Sequence, residues 1–488
     1  MLNILNNVFG YSSFRQGQKE IAENLINGRD VLAVMPTGAG KSICYQLPAL
    51  KMEGITIVVS PLISLMADQV RGLISCGVRA AYLNSTLTQK QYFKALENAR
   101  NYTYKIIYVA PERLMTDSFL AFASNVNISM VAVDEAHCIS QWGQDFRPSY
   151  LCIKDFIARL PKRPVVGAFT ATATDKVKND IVKGLNLLSP YNLTTGYNRE
   201  NLYFAVMYPR DKTHAAVTII DNHKGESGII YCISRKAVNE LEYYLSLKGY
   251  SVTKYHAGLG DMERKHNQDS FLQGDKNIMV ATNAFGMGID KPDVRYVLHY
   301  NMPMSMEAYY QEAGRAGRDG KAAQCIMFYS YSDYSTNEFL INLIDDNEEL
   351  SQEEKDNIKA KDMYKLDKMK AYAFYGRCLR EYILNYFGEK TNHYCEYCSN
   401  CMKQDRIKSY TPSADRELYK RLKEITVQIA KRERISSYSV LNDSALMNMA
   451  AKKPHSLEEM KKVEGIGTYK IRRYGEIYLR IINEWENS

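Results

Sequence analysis

The sequence predicts an α/β protein: two tandem lobes built on parallel sheets, followed by smaller helical parts. Three observations lead there. Short apolar runs recur in two sets, first VLAVM (31–35), ITIVV (55–59), IIYVA (106–110), MVAV (130–133) and VVGAF (165–169). The second set is GIIYCI (228–233), SVTKY (251–255), NIMVA (277–281), VRYVLHY (294–300) and QCIMFY (324–329). Runs that stay apolar on both faces, separated by helix-length segments, belong to parallel sheets covered on both sides. After Tyr331 the runs stop, and helical patterning, a cysteine cluster and a basic end take over. A length of 488 residues exceeds one ordinary domain, which agrees with two lobes and further small parts.

Composition narrows the class. With 45% hydrophobic and 24% charged residues the chain reads as soluble and globular. The start MLNILNNVFGYSSF has neither the basic opening nor the apolar core of an export signal. The longest apolar candidate, ITIVVSPLISLM, is broken by Ser60 and Pro61, short of the ~18 residues that a membrane span needs. Six cysteines (Cys44, Cys76, Cys138, Cys152, Cys232, Cys325) are scattered, which suits buried thiols in a reducing cytosol. The expected location is therefore cytoplasmic. Of the net charge of +8, +6 falls in Arg406–Ser488, with 17 Lys/Arg against 11 Asp/Glu. That excess fits a polyanionic partner and equally a solvated helical surface. The acidic run DDNEELSQEEKD (345–356) reads as a solvated helix face or linker.

The first motif follows the first strand: VLAVM runs into PTGAGKS and a helix start. Gly38 and Gly40 let the backbone approach a phosphate closely, helix-start amides face the anion, and Lys41 reaches the terminal phosphates. Thr37 and Ala39 complete the turn, and Ser42 offers a hydroxyl to Mg²⁺. Met35 stands where the general GxxxxGK[ST] pattern has its first glycine, so a chance GKS turn is the bland alternative. The second motif removes most of that doubt. MVAV delivers Asp134 and Glu135 at its carboxyl end, where ligands bind in open α/β sheets. Asp134 is placed to hold Mg²⁺ and Glu135 to activate the attacking water, the positioning that phosphoryl transfer asks for. The third is YYQEAGRAGRDG (309–320), whose Arg315 and Arg318 are expected on a helix of the second lobe and could supply transition-state charge when the lobes close. Surface ion pairs are the alternative. Cys378, Cys395, Cys398 and Cys401 have the spacing of a tetrahedral Zn²⁺ site, with His393 able to replace one thiol.

Taken in order, GAGKS, DEAH, FTATAT (169–174), ATNAFGMGIDKPDVR (281–295) and QEAGRAGR resemble superfamily 2 helicases. FGYSSFRQGQKEI, CISQWGQDFRPSY, RCLREYILNYFGE and the C-terminal LNDSALMNMAAKKPHSLEEMKKVEGIGTYKIRRYGEIYLRII (441–482) narrow the likeness to the RecQ family of DNA helicases. The resemblance implies RecA-like lobes at 1–197 and 198–334, a RecQ-type zinc module at 335–405, a linker at 406–412 and an all-helical HRDC bundle at 413–488. It implies that Arg15 and Gln18 contact adenine, although Gln16 stands where the family usually has proline. Thr170 and Thr172 match the segment linking ATP state to lobe movement. Gly288 and Asp290 match positions lining the ATP cleft, His137 and Gln311 look like cross-cleft coupling residues, and Arg318 is the expected arginine finger.

The resemblance also gives the loop after DEAH a role. Trp142, Phe146 and Arg147 follow the catalytic pair within a polar, Gly- and Pro-containing stretch, which argues loop over core. Aromatic faces there stack on exposed bases without demanding a sequence. The implied activity is an ATP- and Mg²⁺-dependent DNA helicase moving 3′ to 5′ on single strands, acting on single-stranded and forked or branched DNA in recombination and repair. Its implied setting is a monomer, nucleoid-associated in a bacterium, with a single-strand-binding protein as partner. After Cys401 the sequence MKQDRIKSYTPSADRELYKRL leads directly into the last helical domain, leaving no room for the winged helix many relatives carry. An annealing or remodelling ATPase with weak unwinding is therefore a rival, and an RNA helicase a more distant one. The turn Gly465-Ile466-Gly467, near Lys461, Lys462, Lys470, Arg472 and Arg473, could present amides to phosphate or merely join two packed helices.

Overall fold

The computed structural model describes residues 1–61, 63–143, 146–285, 291–346, 351–391, 394–402, 413–433, 440–441, 443–463, 466 and 468–486. Strands β1 (Val31–Val34), β2 (Ile55–Val59), β3 (Ala80–Leu83), β4 (Ile106–Val109), β5 (Ile128–Val133), β6 (Val165–Thr170) and β7 (Tyr191–Thr194) make one seven-stranded sheet. Its order is β3-β4-β2-β5-β6-β1-β7. All its pairings are parallel. Strands β8 (Leu202–Met207), β9 (Ser227–Tyr231), β10 (Val252–Tyr255), β11 (Ile278–Ala281), β12 (Val294–His299) and β13 (Ala323–Phe328) make a six-stranded sheet, β10-β11-β9-β12-β13-β8. It too is parallel throughout.

Every predicted apolar run became a strand. Three strands were not predicted: β3, β7 and β8, all at sheet edges. In β7, YNLT alternates half-buried with exposed positions, the pattern of an edge that faces water. The β8 run LYFAVM is apolar, and its place just after the inter-lobe segment is what conceals it.

Two compact units divide the chain, Met1–Ser399 and Asn400–Ser488. In the first, Tyr45 packs on Phe169 with ring centroids 5.1 Å apart, in a core shared with Ile21, Leu25, Val58 and Met130. The second sheet buries Ile230, Leu241, Leu245, Val280 and Leu298. Helices Tyr331–Asn342, Gln352–Ala373 and Leu379–Tyr386 follow. In the second unit, helices Ser413–Glu433, Asp443–Lys452, Leu457–Met460 and Thr468–Glu486 enclose Leu418, Leu422, Met449 and Ile482. Its one buried polar pairing of note joins Thr426 Oγ1 to Tyr478 OH at 2.7 Å.

The entry to β1 is anchored by a buried carboxylate. Asp30 accepts from Arg163 Nη1 at 3.1 Å and Nη2 at 2.6 Å, and from the Val166 and Leu188 amides at 2.9 and 2.7 Å. This one side chain ties β1 to β6 and to the segment leading into β7, and so fixes where the β1 carboxyl end points. Asp30→Ala is expected to remove ~2–4 kcal/mol of stability, because it leaves two amides and a guanidinium without their acceptor. Urea denaturation followed by circular dichroism measures it, and a loss below ~1 kcal/mol would show that the anchor is dispensable.

Candidate active site

The phosphate turn sits where β1 ends. Met35 N–H donates to Thr170 O at 3.0 Å, and helix Lys41–Lys51 starts on Gly40, with φ 82° and ψ 40°. Only glycine fits there. A Cβ on Gly40 would lie 2.4 Å from Gln18 Nε2 as well as in left-handed backbone. Gln18 is itself buried and spans the turn, its Nε2 donating to Ala39 O at 3.2 Å and Gly40 O at 3.1 Å while its Oε1 accepts from the Arg15 amide at 2.9 Å. Arg15 Nη1 also donates to Gly38 O. The two residues expected on adenine thus grip the phosphate turn in this structure.

The second lobe meets this turn through Arg318, whose Cγ would lie 3.4 Å from a Cβ on Gly38. The expectation that Arg315 and Arg318 ride a helix is corrected here. Helix Met306–Ala313 ends before them, with Gly314 as its C-cap, because Gly317 takes a left-handed φ of 56° that breaks helical hydrogen bonding. The turn separates the two arginines. Arg318 lines a cavity of about 270 Å³ with Arg15, Thr37, Gly38 and Arg199. Arg315 is buried and bonds the Tyr231 hydroxyl. Burial pushes that phenol up, and Arg315 opposes the rise. Gln311 is buried on the same helix.

Sequence reasoning missed Arg199. From the inter-lobe segment its Nη1 donates to Thr37 O at 3.1 Å and Gly314 O at 3.5 Å, and its Nη2 to Ala316 O at 3.1 Å and Gly317 O at 2.9 Å. It joins the phosphate turn of one lobe to the arginine turn of the other. No local motif signals it, since the contacts are to backbone carbonyls far along the chain.

Asp134 extends β5, its amide donating to Val59 O at 2.9 Å. Burial raises its carboxyl to about 7, Glu135 adds to the rise, and Lys41 and the Glu135 amide oppose it. A carboxylate so costly to ionise suits a cation partner, and a carboxylate together with the hydroxyl of Ser42 is a donor set that fits Mg²⁺. Glu135 sits in left-handed backbone, φ 47° and ψ 46°, a strain of ~1–3 kcal/mol that aims its side chain away from the strand. Its Oε2 lies 3.3 Å from His137 Nδ1, which also meets Thr170 Oγ1 at 2.8 Å. Thr170 Oγ1 in turn bonds Thr172 O at 3.1 Å and the Thr172 amide at 3.3 Å. One buried chain thus runs from the acid to the two threonines. Gly288 and Asp290 lie outside the described residues, as do His393, Gly465 and Gly467.

The loop from His137 to Tyr150 folds back on itself. A Cβ on Gly143 would meet His137 O at 2.1 Å, and Tyr150 OH returns to Asp134 O at 3.0 Å. Trp142 is half-buried, with Lys176 Nζ 3.2 Å from its ring centroid, Lys361 Nζ at 6.0 Å and the Tyr364 ring edge-on at 6.5 Å. Lys365 Nζ donates to Gly143 O at 2.7 Å. Phe146 is half-buried, and Arg147 Nη1 donates to Pro61 O at 2.8 Å, which holds Arg147 against the first lobe. The helix Gln352–Ala373 as a wall of this loop was not predicted. Its signal is the stripe Lys361, Tyr364, Lys365, Lys368 at i, i+3, i+4 and i+7.

The sulfurs of Cys378, Cys395, Cys398 and Cys401 all lie within 4.8 Å of one another, and Cys398 bridges to Phe204 of β8. Four thiols so gathered, with no disulfide among the described residues, match the ~3.8 Å sulfur spacing of a tetrahedral zinc–thiolate site.

Comparison with known proteins bears on these features. Family models match for "DEAD/DEAH box helicase" at residues 15–180, "Helicase conserved C-terminal domain" at 211–320, "RecQ zinc-binding" at 331–402 and "HRDC domain" at 415–482. The chain is 44% identical to "ATP-dependent DNA helicase RecQ" of Bacillus subtilis over 82% of its own length and 66% of that protein. It is 41% identical to the protein of the same name from Pasteurella multocida, covering 62% of it. It is 32% identical to that of Haemophilus influenzae, covering 99% of this chain and 96% of the relative. The chain thus spans just under two thirds of the first two relatives. Among solved structures, yeast Dbp5 bound to RNA and ADP BeF3 superposes with a TM-score of 0.57 at 19% identity, covering 75% of this chain and 97% of Dbp5. Mycobacterium smegmatis Lhr bound to ssDNA and AMP-PNP gives 0.55 at 18% identity, covering 69% and 48%. At such identity these two show a shared fold.

The cysteine geometry generates a test. Purified chain is expected to carry about one zinc by elemental mass spectrometry, and Cys398→Ser to lose it together with several degrees of melting temperature. A zinc-free wild type of unchanged stability would remove the metal from the site.

Proposed function

The chain belongs to the RecQ family of helicases, and from that premise we propose that it is an ATP- and Mg²⁺-dependent DNA helicase that moves along single-stranded DNA. The observation that carries the reading is the contact of Arg318 with Gly38, which sets an arginine of one lobe on the phosphate turn of the other. Lys41 and the amides at the start of helix Lys41–Lys51 bind the phosphates, with Arg15 and Gln18 at the base. Bound Mg²⁺, held through Ser42 and Asp134, would neutralise charge on the transferring phosphoryl group. Glu135 orients the attacking water and takes its proton. Arg318 stabilises the charge that develops, and Arg315 keeps the turn that presents it.

The first lobe is assigned to 1–197, the second to 198–334, the zinc module to 335–405 and the HRDC bundle to 413–488. The zinc module holds Zn²⁺ on its four cysteines. Gly288 and Asp290 are assigned to the cleft by family likeness. Coupling runs along the chain Glu135–His137–Thr170–Thr172 and through the loop that ends on Trp142, Phe146 and Arg147. Movement 3′ to 5′, forked or branched duplex as substrate, a role in recombination and repair, and a single-strand-binding partner follow the family alone. No described helix is long and apolar enough to cross a membrane, which agrees with a cytoplasmic place.

A second reading is favoured by one feature: few residues separate Cys401 from the helix Ser413–Glu433, leaving no winged helix to part the strands. Under it the protein is a DNA-stimulated ATPase that anneals or remodels. A fluorescent forked duplex with ATP decides, strong separation at catalytic protein levels supporting the helicase.

Glu135→Gln is expected to lower ATP hydrolysis ~10³-fold, within the range for a lost catalytic carboxylate, and Arg318→Ala by a similar factor. A phosphate-release assay reads both, and activity within tenfold of wild type in either would remove that residue from the chemistry. Trp142→Ala is expected to bring the ratio of rates with and without single-stranded DNA close to one. An unchanged ratio would separate the loop from the coupling.

A further inference from the structure

Two strand ends of the second sheet carry polar side chains that the chemistry above does not use. Tyr231 closes β9 and His299 closes β12, and the two are register partners in the parallel sheet. Their rings stack, with centroids 5.5 Å apart and planes 21° from parallel. Both stand at the carboxyl edge of the sheet, the edge at which open α/β sheets bind ligands. Yet Tyr231 is 4% exposed and His299 1%, so their polar atoms serve neighbours rather than ligands.

The neighbour they share is Arg315. Tyr231 OH donates to Phe285 O at 3.1 Å and accepts from the Arg315 guanidinium. Phe285 is itself packed, its ring 5.0 Å from that of Tyr255 and 5.9 Å from that of Phe271. The phenol is thus a two-sided link between a cation and a fixed carbonyl. Burial pushes it up, so it keeps the proton that Phe285 O receives. His299 Nε2 lies 2.9 Å from Glu312 Oε2, and facing a carboxylate oxygen that nitrogen is a donor. The Glu312 carbonyl in turn accepts from the Arg315 amide at 3.2 Å. The imidazole also packs 4.9 Å from the ring of Tyr309, on the same helix as Glu312. Arg315 is therefore set at both ends, its guanidinium by Tyr231 and its amide by way of Glu312 and His299. Past it comes the left-handed Gly317, and then Arg318 against Gly38 of the other lobe.

We infer that Tyr231 and His299 are positioning residues for phosphoryl transfer, fastening Arg315 to the ends of β9 and β12 so that the turn presents Arg318 to the phosphates. It rests on the ATP-hydrolysing reading above and adds two residues that touch no ligand. Phenylalanine at position 231 would keep the ring stack and lose both hydrogen bonds, which isolates the part played by the hydroxyl.

The test uses the full chain and steady-state ATP hydrolysis. Tyr231→Phe is expected to lower kcat about tenfold, the scale of a lost hydrogen bond to a charged group, with KM for ATP within about twofold of wild type. Affinity for ADP–aluminium fluoride, a mimic of the transferring phosphoryl group, should fall with kcat while affinity for ADP alone stays. His299→Ala should act likewise, and His299→Gln, which keeps an N–H for Glu312, should recover most of the loss. On an Arg315→Met background Tyr231→Phe is expected to change kcat by less than about twofold, because its partner is already gone. Wild-type kcat in Tyr231→Phe and His299→Ala, or losses that multiply in full with Arg315→Met, would overturn the positioning role and leave hydrolysis standing. Loss of the circular dichroism signal in His299→Ala without recovery in His299→Gln would assign the pair to packing alone and overturn it equally. A parent that does not hydrolyse ATP would sink both readings.

Discussion

The architecture of the candidate active site depends on one guanidinium. Arg199 stands in the short segment between the two sheets and donates to carbonyls of Thr37 on one side and of Gly314, Ala316 and Gly317 on the other. A guanidinium presents five donors in a fixed plane, so it can satisfy several carbonyls at once only if both turns keep their places. Burial lowers its basicity below the usual arginine range, with Tyr310 and Cys325 opposing. The protein accepts that desolvation and matches it with hydrogen bonds to backbone dipoles rather than with a carboxylate. The result is geometric. The phosphate turn and the arginine turn are thereby registered against each other, the kind of preorganisation that phosphoryl transfer rewards.

Burial and the neighbouring Glu135 raise the carboxyl of Asp134, and Lys41 opposes them. Glu135 is held by backbone strain and His137, and His137 by Thr170. The link from His137 to Thr170 is a buried hydrogen bond of 2.8 Å, and Glu135, partly exposed, lies 3.3 Å from the same imidazole nitrogen. The loop that follows is equally constrained, with Gly143 pressed against His137 O and Tyr150 returning to Asp134 O. Asp134, Glu135 and Trp142 therefore share a single small folded unit, which gives a physical reason for acidic and aromatic residues to stand so close in sequence.

Much of this was legible in the sequence, and the boundary is physical. Strands buried on both faces announce themselves by continuous apolar runs, so the centres of both sheets were found. Of the four edges β10 was found, whereas β3, β7 and β8 were not, and half-solvated YNLT of β7 carries no such signal. Lys41, Asp134 and Glu135 were singled out because the chemistry expected of them needs fixed spacing next to a strand end, and they do stand beyond the ends of β1 and β5. Arg199 was not, since a side chain that binds distant carbonyls leaves no local pattern. Arg315 and Arg318 were found as residues but placed on a helix, and the left-handed Gly317 is what ends that helix. The lysine stripe of Gln352–Ala373 was present in the sequence yet indistinguishable there from an ordinary solvated face.

The cysteine-bearing module reaches both ends of this machinery. Its Arg380 donates to Asn198 Oδ1 at 2.9 Å and also to the carbonyls of Arg199 and Leu202, and so grips the very segment from which Arg199 reaches the two turns. Its Phe387 stacks on Tyr197 at 4.6 Å, and Tyr310 OH donates to Tyr197 O at 2.7 Å. Some residues earlier the same module holds Gly143 O through Lys365. The inter-lobe segment and the aromatic loop, far apart in sequence, are thus braced by one short helical piece. The helices of this module bury Leu366, Met369, Tyr372, Leu379, Ile383 and Phe387, and Cys398 joins it to Phe204 of β8. The order of the clamp and the set of the loop are consequently joined through one module, by Arg380 at the first and Lys365 at the second.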